Sequence, residues 1–310
     1  MQKAKPFLKW AGGKGQLLDK FRALYPRQLA VGGITTYYEP FLGSGAVFFE
    51  IAQTYPVQSA YLYDINAELI LTYKTIQKDA AKLVEHLHQI QKSYLSLGKE
   101  KRTAYFYEQR DAYNMQRHHI DYGTYSDDWL HRAAQLIFLN RTCFNGLYRV
   151  NAKGDFNTPA GNYANPKICD EYNLIAVGKL LEMAEIKHAG FEEMASDVKQ
   201  SSFVYFDPPY RPISKTASFK AYNMDGFGDD DQRALALIFR QLDKPGVYLM
   251  LSNSDPKNSD PDDDFFDEIY RGYPIARVPA KRLINSDAAK RGAIHEIVVT
   301  NYEWPGHNRL

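Results

Sequence analysis

The chain has 310 residues, 45% of them hydrophobic, and a formal net charge of +1 at pH 7. That length suits one large or two modest domains, and the composition excludes a disordered or low-complexity chain. No apolar run reaches the length of a membrane span, and the first residues lack the hydrophobic stretch of a signal peptide. Cys143 and Cys169 stand without a CxxC or a His-rich partner, so neither a disulfide framework nor a metal site is indicated. A cytoplasmic protein with reduced cysteines is expected.

The near-neutral balance conceals an uneven distribution. Residues 1–29 carry Lys3, Lys5, Lys9, Lys14, Lys20, Arg22 and Arg27 against Asp19 alone, while acid collects at Asp260, Asp262, Asp263, Asp264, Asp267 and Glu268. Such asymmetry permits a local basic face, although solvated surface charge produces the same pattern.

In chain order, Phe7-Leu-Lys-Trp10-Ala11-Gly12-Gly13-Lys14-Gly15 precedes a helical pattern through Leu17, Leu18, Phe21 and Leu24. The glycines allow a turn close to a ligand, and the spacing is not that of a P-loop. A strand ending at Glu39-Pro40-Phe41 then meets a tight turn, Leu42-Gly43-Ser44-Gly45, and a helix from Ala46. Strand, glycine turn and helix make the first unit of a nucleotide-binding α/β domain. The next strand, Ser59–Tyr63, ends at Asp64, ahead of Ile65 and a new helix. An acid there suits ribose hydroxyls, and it suits a helix N-cap equally well.

Residues 76–140 read as helices at Asp79–Leu97, Lys99–Arg117 and Asp127–Asn140. Residues 140–172 change character, with Gly154 marking a turn between two short strands whose arms carry Arg, Asn, Lys and aromatic side chains. Those are side chains that read base edges, contact phosphates and wedge between bases; a polar surface hairpin has the same composition. Beyond a helix at Tyr172–Ala184, strands are expected at Glu185–Ala189, Ser202–Phe206 and Val247–Ser252, a helix at Asp229–Leu242, and further strands over residues 267–302. The fold expected is α/β: a Rossmann-like, doubly wound, mostly parallel sheet with an antiparallel end. Residues 1–75 and 173–310 would form its catalytic domain, and 76–172 an inserted subdomain of helices and a β-hairpin.

The sharpest segment is Phe203-Val-Tyr-Phe206-Asp207-Pro208-Pro209-Tyr210. A buried strand cannot run through two prolines, which have no N–H to donate. The chain must leave the sheet at Asp207 and present a carboxylate, a stiff carbonyl and a phenol ring at the carboxyl edge, where ligands bind in open α/β sheets.

Taken in order, these segments resemble the Dam-type (DpnM-like) family of DNA adenine-N6 methyltransferases, over almost the whole chain. The resemblance rests on Phe7–Lys14, Glu39–Gly45, Asp64-Ile-Asn66, Arg141–Arg149, Gly154–Asn157, Asp207–Tyr210, Ile284-Asn-Ser and Lys290-Arg-Gly292. It implies S-adenosylmethionine as cofactor, no metal, and direct in-line methyl transfer to a flipped adenine. Asp207 and the Pro208 carbonyl would accept from the amino group, Pro209 would stiffen the turn, and Tyr210 would stack on the ring. By the same resemblance Trp10, Ala11, Gly12, Lys14, Glu39, Pro40, Phe41, Gly43, Ser44, Gly45, Asp64, Ile65, Phe191 and Asp207 line the cofactor. Lys9, Phe144, Asn145, Leu147, Arg149, Asn157, Pro159 and Tyr163 contact the DNA, with GATC as the expected site. The resemblance further implies double-stranded DNA as partner, action as a monomer, and either a cognate restriction endonuclease acting separately or a solitary role. Turns of this type also resemble those of enzymes methylating cytosine N4, RNA adenine or a glutamine amide. An inert DNA-binding module on the same scaffold is the remaining alternative.

Overall fold

The computed structural model describes residues 3–211, 227–280 and 294–304. The expected segments Ile284–Ser286 and Lys290–Gly292 lie outside these residues. Seven strands, β1 (Thr36–Glu39), β2 (Ser59–Asp64), β3 (Ala184–His188), β4 (Ser202–Phe206), β5 (Val247–Ser254), β6 (Ile275–Ala280) and β7 (Ile294–Thr300), lie in the order β3-β2-β1-β4-β5-β7-β6. β1 runs parallel to β2 and β4, and β4 parallel to β5, whereas β7 is antiparallel to both β5 and β6. This is the Rossmann-like, mostly parallel sheet with an antiparallel end that the alternating pattern predicts. The strand order reverses between β1 and β4, which makes the carboxyl ends of those two strands the switch point where such sheets form a crevice.

By internal contacts the chain divides into two compact units. The second unit comprises Lys14–Leu42, Glu50–Tyr63 and everything from Ala189 onward. Its core is built on the sheet: Val204, Phe206, Leu249, Leu251, Ile297 and Val299 pack with Leu235, Phe239 and Leu242 of the helix Asp229–Leu242. β4 is buried at all five positions, as a central strand covered on both faces must be. The expected run of strands from residue 267 is interrupted at its start by a short helix, Phe265–Ile269. The Asp263 side chain accepts the N–H of Phe265 at 3.1 Å, an Asx turn that bends the chain into this helix rather than into a strand.

The first unit comprises the residues up to Gly13, Gly43–Phe49 and Asp64–His188. It is dominated by helices Ala67–Ser96, Lys99–Gln116, Asp127–Thr142 and Glu171–Leu181. The longest of these breaks its helical geometry at Asp79 (φ −152°, ψ 52°), the position where the sequence pattern starts a new helix. Arg132 is fully buried; its Nε donates to Glu68 Oε2 at 2.7 Å, its Nη2 pairs with Glu68 Oε1, and its Nη1 donates to the Tyr113 carbonyl at 2.9 Å.

The chain reverses at Gly154 (φ +81°), as the hairpin reading requires. The pairing around it is confined to two isolated antiparallel bridges, Val150–Phe156 and Cys143–Ala160, rather than continuous strands. The Asn151 side chain accepts the N–H groups of Lys153 and Asp155, which takes those donors away from a longer ladder. Among the described residues no helix is long and apolar enough to cross a membrane.

Candidate active site and base-reading loop

In the second unit the chain leaves β4 at Asp207 and turns through Pro208, Pro209 and Tyr210. Gln232, fully buried, donates from Nε2 to the Pro209 carbonyl at 3.1 Å and so holds the turn from the helix beneath it. Lys14, only 3% exposed, places Nζ 2.6 Å from Asp207 Oδ1 and donates to the Tyr210 hydroxyl at 3.1 Å. The Tyr210 hydroxyl donates in turn to Glu296 Oε1 at 2.6 Å, and Lys14 Nζ lies 3.8 Å from Glu296 Oε2. One cation therefore stands between two carboxylates and a phenol.

This arrangement sets the proton affinities. Burial pushes the Asp207 carboxyl up to about 6; Lys14 opposes the rise and Glu296 adds to it. The lysine meets a burial penalty too, but its acidic neighbours, Asp207 first, hold its pKa above the usual ammonium value. Tyr210 is raised chiefly by burial, so its hydroxyl stays protonated. Asp207 is thus ionised at neutral pH but poised closer to neutrality than an ordinary carboxylate, a shift the sequence reading does not anticipate. The side chain keeps 18% of its surface, enough for a reactant to reach it. Close by on β1, buried Glu39 accepts from the Tyr37 hydroxyl at 2.8 Å, and Pro40 is buried beside it.

Phe191 opens a short helix rather than closing a strand, because Gly190 N–H is capped by Glu193 Oε2 at 3.0 Å. Its ring is in the core, stacked on Phe41 with centroids 5.6 Å apart, and met edge-on by Phe227.

The first unit contains the glycine turn. Gly43 adopts φ +46°, and a Cβ there would stand 3.0 Å from Trp10 Cδ1, so both the backbone conformation and the indole demand glycine. The Gly43 N–H donates to Asp64 Oδ2 at 3.0 Å, and Asn66 N–H donates to Asp64 Oδ1 at 2.9 Å. The helix that follows is capped by Asn66, which accepts from Leu69 N–H at 3.1 Å, so Asp64 is not its N-cap. Each Asp64 oxygen has a second lone pair available to a hydroxyl. Ile65 beside it is 75% exposed, Gly12 is in the left-handed region at φ +76°, and Ala11 is exposed. Ser44 and Gly45 continue the turn into the helix Ala46–Thr54, Gly45 at φ +68°. An acid at a strand end, a glycine turn and an unburied aliphatic side chain suit a nucleoside with free ribose hydroxyls.

The same unit carries the loop after Thr142. Phe144 is 55% exposed and Leu147 38% exposed, while Asn145 takes the uncommon left-handed conformation (φ +56°). The Phe144 N–H donates to the carbonyl of Pro159, joining the two arms. Arg149 donates from Nε to Asn157 Oδ1 at 2.7 Å and from Nη2 to the Asn157 carbonyl at 3.2 Å. Asn140, buried, accepts from Lys9 N–H and donates to the carbonyls of Lys9 and Gly146. Lys9 Nζ lies 5.6 Å from the centre of the Tyr163 ring. Lys9, Phe144, Asn145, Leu147, Arg149 and Pro159 all expose their side chains.

Three contributors escape the sequence reading: Glu296, Gln232 and Ser252, which is buried and bonded to the Tyr205 hydroxyl at 2.7 Å. Glu296 has a readable signal, an acid directly ahead of the apolar run Ile297–Val299 of its strand. The other two have none. Cys143 and Cys169 are buried, and burial pushes both thiols up to about 11, which leaves them protonated.

The proline-stiffened acidic turn stands at the carboxyl end of β4, beside the switch point where sheets of this kind bind ligands. Residues 10–284 match the family described as D12 class N6 adenine-specific DNA methyltransferase. The chain is 46% identical over 299 residues to the Type II methyltransferase M.MjaIII of Methanocaldococcus jannaschii, covering 96% of this chain and 99% of that protein. It is 38% identical to the Type II methyltransferase M1.LlaDCHI of Lactococcus lactis subsp. cremoris, over 96% of this chain and 95% of that one. It is 31% identical to a DNA adenine methylase of Vibrio cholerae, over 96% of each chain. The protein belongs to the D12 class of N6 adenine-specific DNA methyltransferases. Membership implies S-adenosylmethionine as methyl donor.

Proposed function

We propose that the protein methylates N6 of adenine within GATC in duplex DNA, after flipping the adenine out of the stack. The observation that carries the chemistry is the Asp207–Tyr210 turn, whose carboxylate is ionised, accessible and held in place by Lys14. Adenine N6 is a poor nucleophile because its lone pair is delocalised into the ring. With Lys14 on Asp207 Oδ1, Oδ2 accepts one N6 hydrogen and the Pro208 carbonyl the other, which turns the lone pair out of the ring plane. S-adenosylmethionine, when bound, supplies an activated methyl group on a sulfonium. The N6–carbon bond forms as the sulfur–carbon bond breaks, and the surplus N6 proton leaves by way of Asp207. Catalysis of this kind depends on positioning and electrostatics and needs no covalent enzyme intermediate.

For the donor, Asp64 takes the ribose hydroxyls, with Trp10, Ala11, Gly12, Ile65 and the Gly43-Ser44-Gly45 turn of the same unit around it; Glu39, Pro40 and Phe41 are assigned to the donor by the family resemblance. A base inside a duplex cannot reach Asp207, so the adenine is extruded, at a cost of a few kcal/mol in stacking and pairing. Arg149, with its fork steered by Asn157, reads a guanine; Lys9 contacts the first guanine; Pro159 and Tyr163 meet the outer bases. Phe144 wedges into the stack, and Asn145 and Leu147 support the opened site. Residues 76–172 then act as the target-recognition segment of a catalytic domain formed by 1–75 and 173–310. The protein acts as a monomer by family resemblance, and the Type II names of two relatives favour a restriction-modification setting over a solitary role. Mapping N6-methyladenine by sequencing DNA treated with the purified protein tests the reading: methylation confined to GATC is expected, and methylation elsewhere or on another base overturns it.

A further inference from the structure

We propose that Glu296 is a positioning residue for methyl transfer: it divides the charge of Lys14 with Asp207 and locks the Tyr210 ring through its hydroxyl. The proposal rests on the methyltransferase reading of the Asp207–Tyr210 turn.

Glu296 lies on β7, opposite Ser254 of β5 and Val278 of β6, and is 8% exposed. A carboxylate inside a sheet is expensive to bury unless charge and hydrogen bonds compensate. Its compensation comes from the candidate catalytic cluster: Oε1 accepts from Tyr210 at 2.6 Å and Oε2 faces Lys14 Nζ at 3.8 Å. The groups facing Asp207 are Lys14, Glu296, Tyr210 and, from β4 itself, the buried Tyr205, with Ser252 supplying a further hydrogen bond. Counting charges, Lys14 and Asp207 alone would form a closed neutral pair, and Asp207 would be a poor acceptor for an amino group. Glu296 brings the cluster to a net charge of −1, so part of the lysine's field is spent elsewhere and Asp207 remains available to N6.

The second half concerns geometry. Tyr210 is partly exposed, and its ring is held at both ends of the hydroxyl, by Lys14 as donor and Glu296 as acceptor. Its ring also lies under Lys14 Nζ, 4.8 Å from centroid to cation. A phenylalanine would keep a stacking surface and lose this lock.

The test uses the full chain with Glu296→Gln and Tyr210→Phe, singly and together, each checked for an unchanged melting profile. For Glu296→Gln the plateau kcat is expected to fall roughly tenfold, the size of one charge-assisted interaction, with KM for DNA and donor nearly unchanged. The acidic limb of the kcat profile should move to lower pH, because a negative neighbour that raises the Asp207 carboxyl is gone. Glu296→Asp should restore part of the rate, and the double variant should be no slower than the slower single one. An unshifted acidic limb, or fully additive losses, overturns the proposal. Titrating the Asp207 carboxyl by 13C NMR, identified by its loss in Asp207→Asn, gives a readout independent of turnover. If the parent leaves adenine unmethylated while Glu296→Gln still lowers that titration, the methylation reading fails and the hold of Glu296 on Asp207 stands. A titration that does not move rejects the proposal whatever the activity.

Discussion

Arg149 and Asn157 are fastened to each other across the loop that follows Thr142, Nε to the side-chain oxygen at 2.7 Å and Nη2 to the main-chain oxygen at 3.2 Å. Two of the guanidinium's donors are thereby used to fix its plane, and the rest of the fork is pre-aimed. Bidentate guanine contacts are worth about 1–3 kcal/mol of discrimination. Arg149→Ala is expected to relax selectivity at one position of the site by that amount, measured as relative methylation rates on singly substituted duplexes. Arg149→Lys should rescue little, since an ammonium lacks the fork. Asn157→Ala should give a smaller loss at the same position, because it unfixes the guanidinium without removing it.

The raised Asp207 carboxyl has a kinetic sign. In the proposed mechanism the ionised carboxylate is the stronger acceptor for N6 and the base for its surplus proton, so methylation should fall as pH drops through about 6. A folded-state pKa above the ordinary value of 3.8 means that the folded protein binds this proton more readily than the unfolded chain. This group's contribution to stability accordingly declines as pH rises from 3.8 towards about 6. Asp207→Ala should bind donor and DNA yet leave adenine unmethylated in single-turnover assays; a rate equal to the parent's would contradict the mechanism.

Gly43 has both a left-handed φ of +46° and the Trp10 indole at its back. Gly43→Ala should cost roughly 1–2 kcal/mol in backbone strain and displace the N–H that holds Asp64. The expected result is weakened S-adenosylmethionine binding by calorimetry, out of proportion to any fall in melting temperature.

In the helical unit, Arg132 and Glu68 form a buried ion pair reinforced by Tyr122, whose hydroxyl donates to Glu68 Oε1 at 2.5 Å. Breaking a buried pair from one side costs about 3–5 kcal/mol, because the orphaned charge stays in the interior. Arg132→Met should therefore lower stability in urea unfolding by about that much, and adding Glu68→Leu should recover a large part of it.

Several features were legible in the chain itself because each is a local physical necessity. Pro208 and Pro209 forbid continuation of β4, so the sheet edge at Asp207 is readable from four residues. The helix Asp229–Leu242 announces itself by its apolar spacing and its three leading acids. Glu296 was not legible as a partner of Lys14, since it enters from a strand that only the antiparallel end of the sheet brings alongside. Gln232 likewise reads as an ordinary helical residue until the Pro209 carbonyl appears above it. The short helix Phe265–Ile269 was hidden by aromatic residues with high strand propensity, although the Asx turn at Asp263 leads the chain into it.

The central strand pair has a consequence for how this chain changes over time. Thr36 on β1 lies beside Ser202 on β4, so everything between them is a single excursion leaving from and returning to neighbouring strands. Closing such a loop costs only about 0.6 kcal/mol more for each doubling of its length. Lengthening a surface loop within that excursion therefore costs little at equilibrium, whereas β2, β3, the Gly43 turn and Asp64, which also lie on it, are fixed by the sheet and by the site. The burden falls on folding speed, because the innermost pairing waits for two segments distant in sequence to meet.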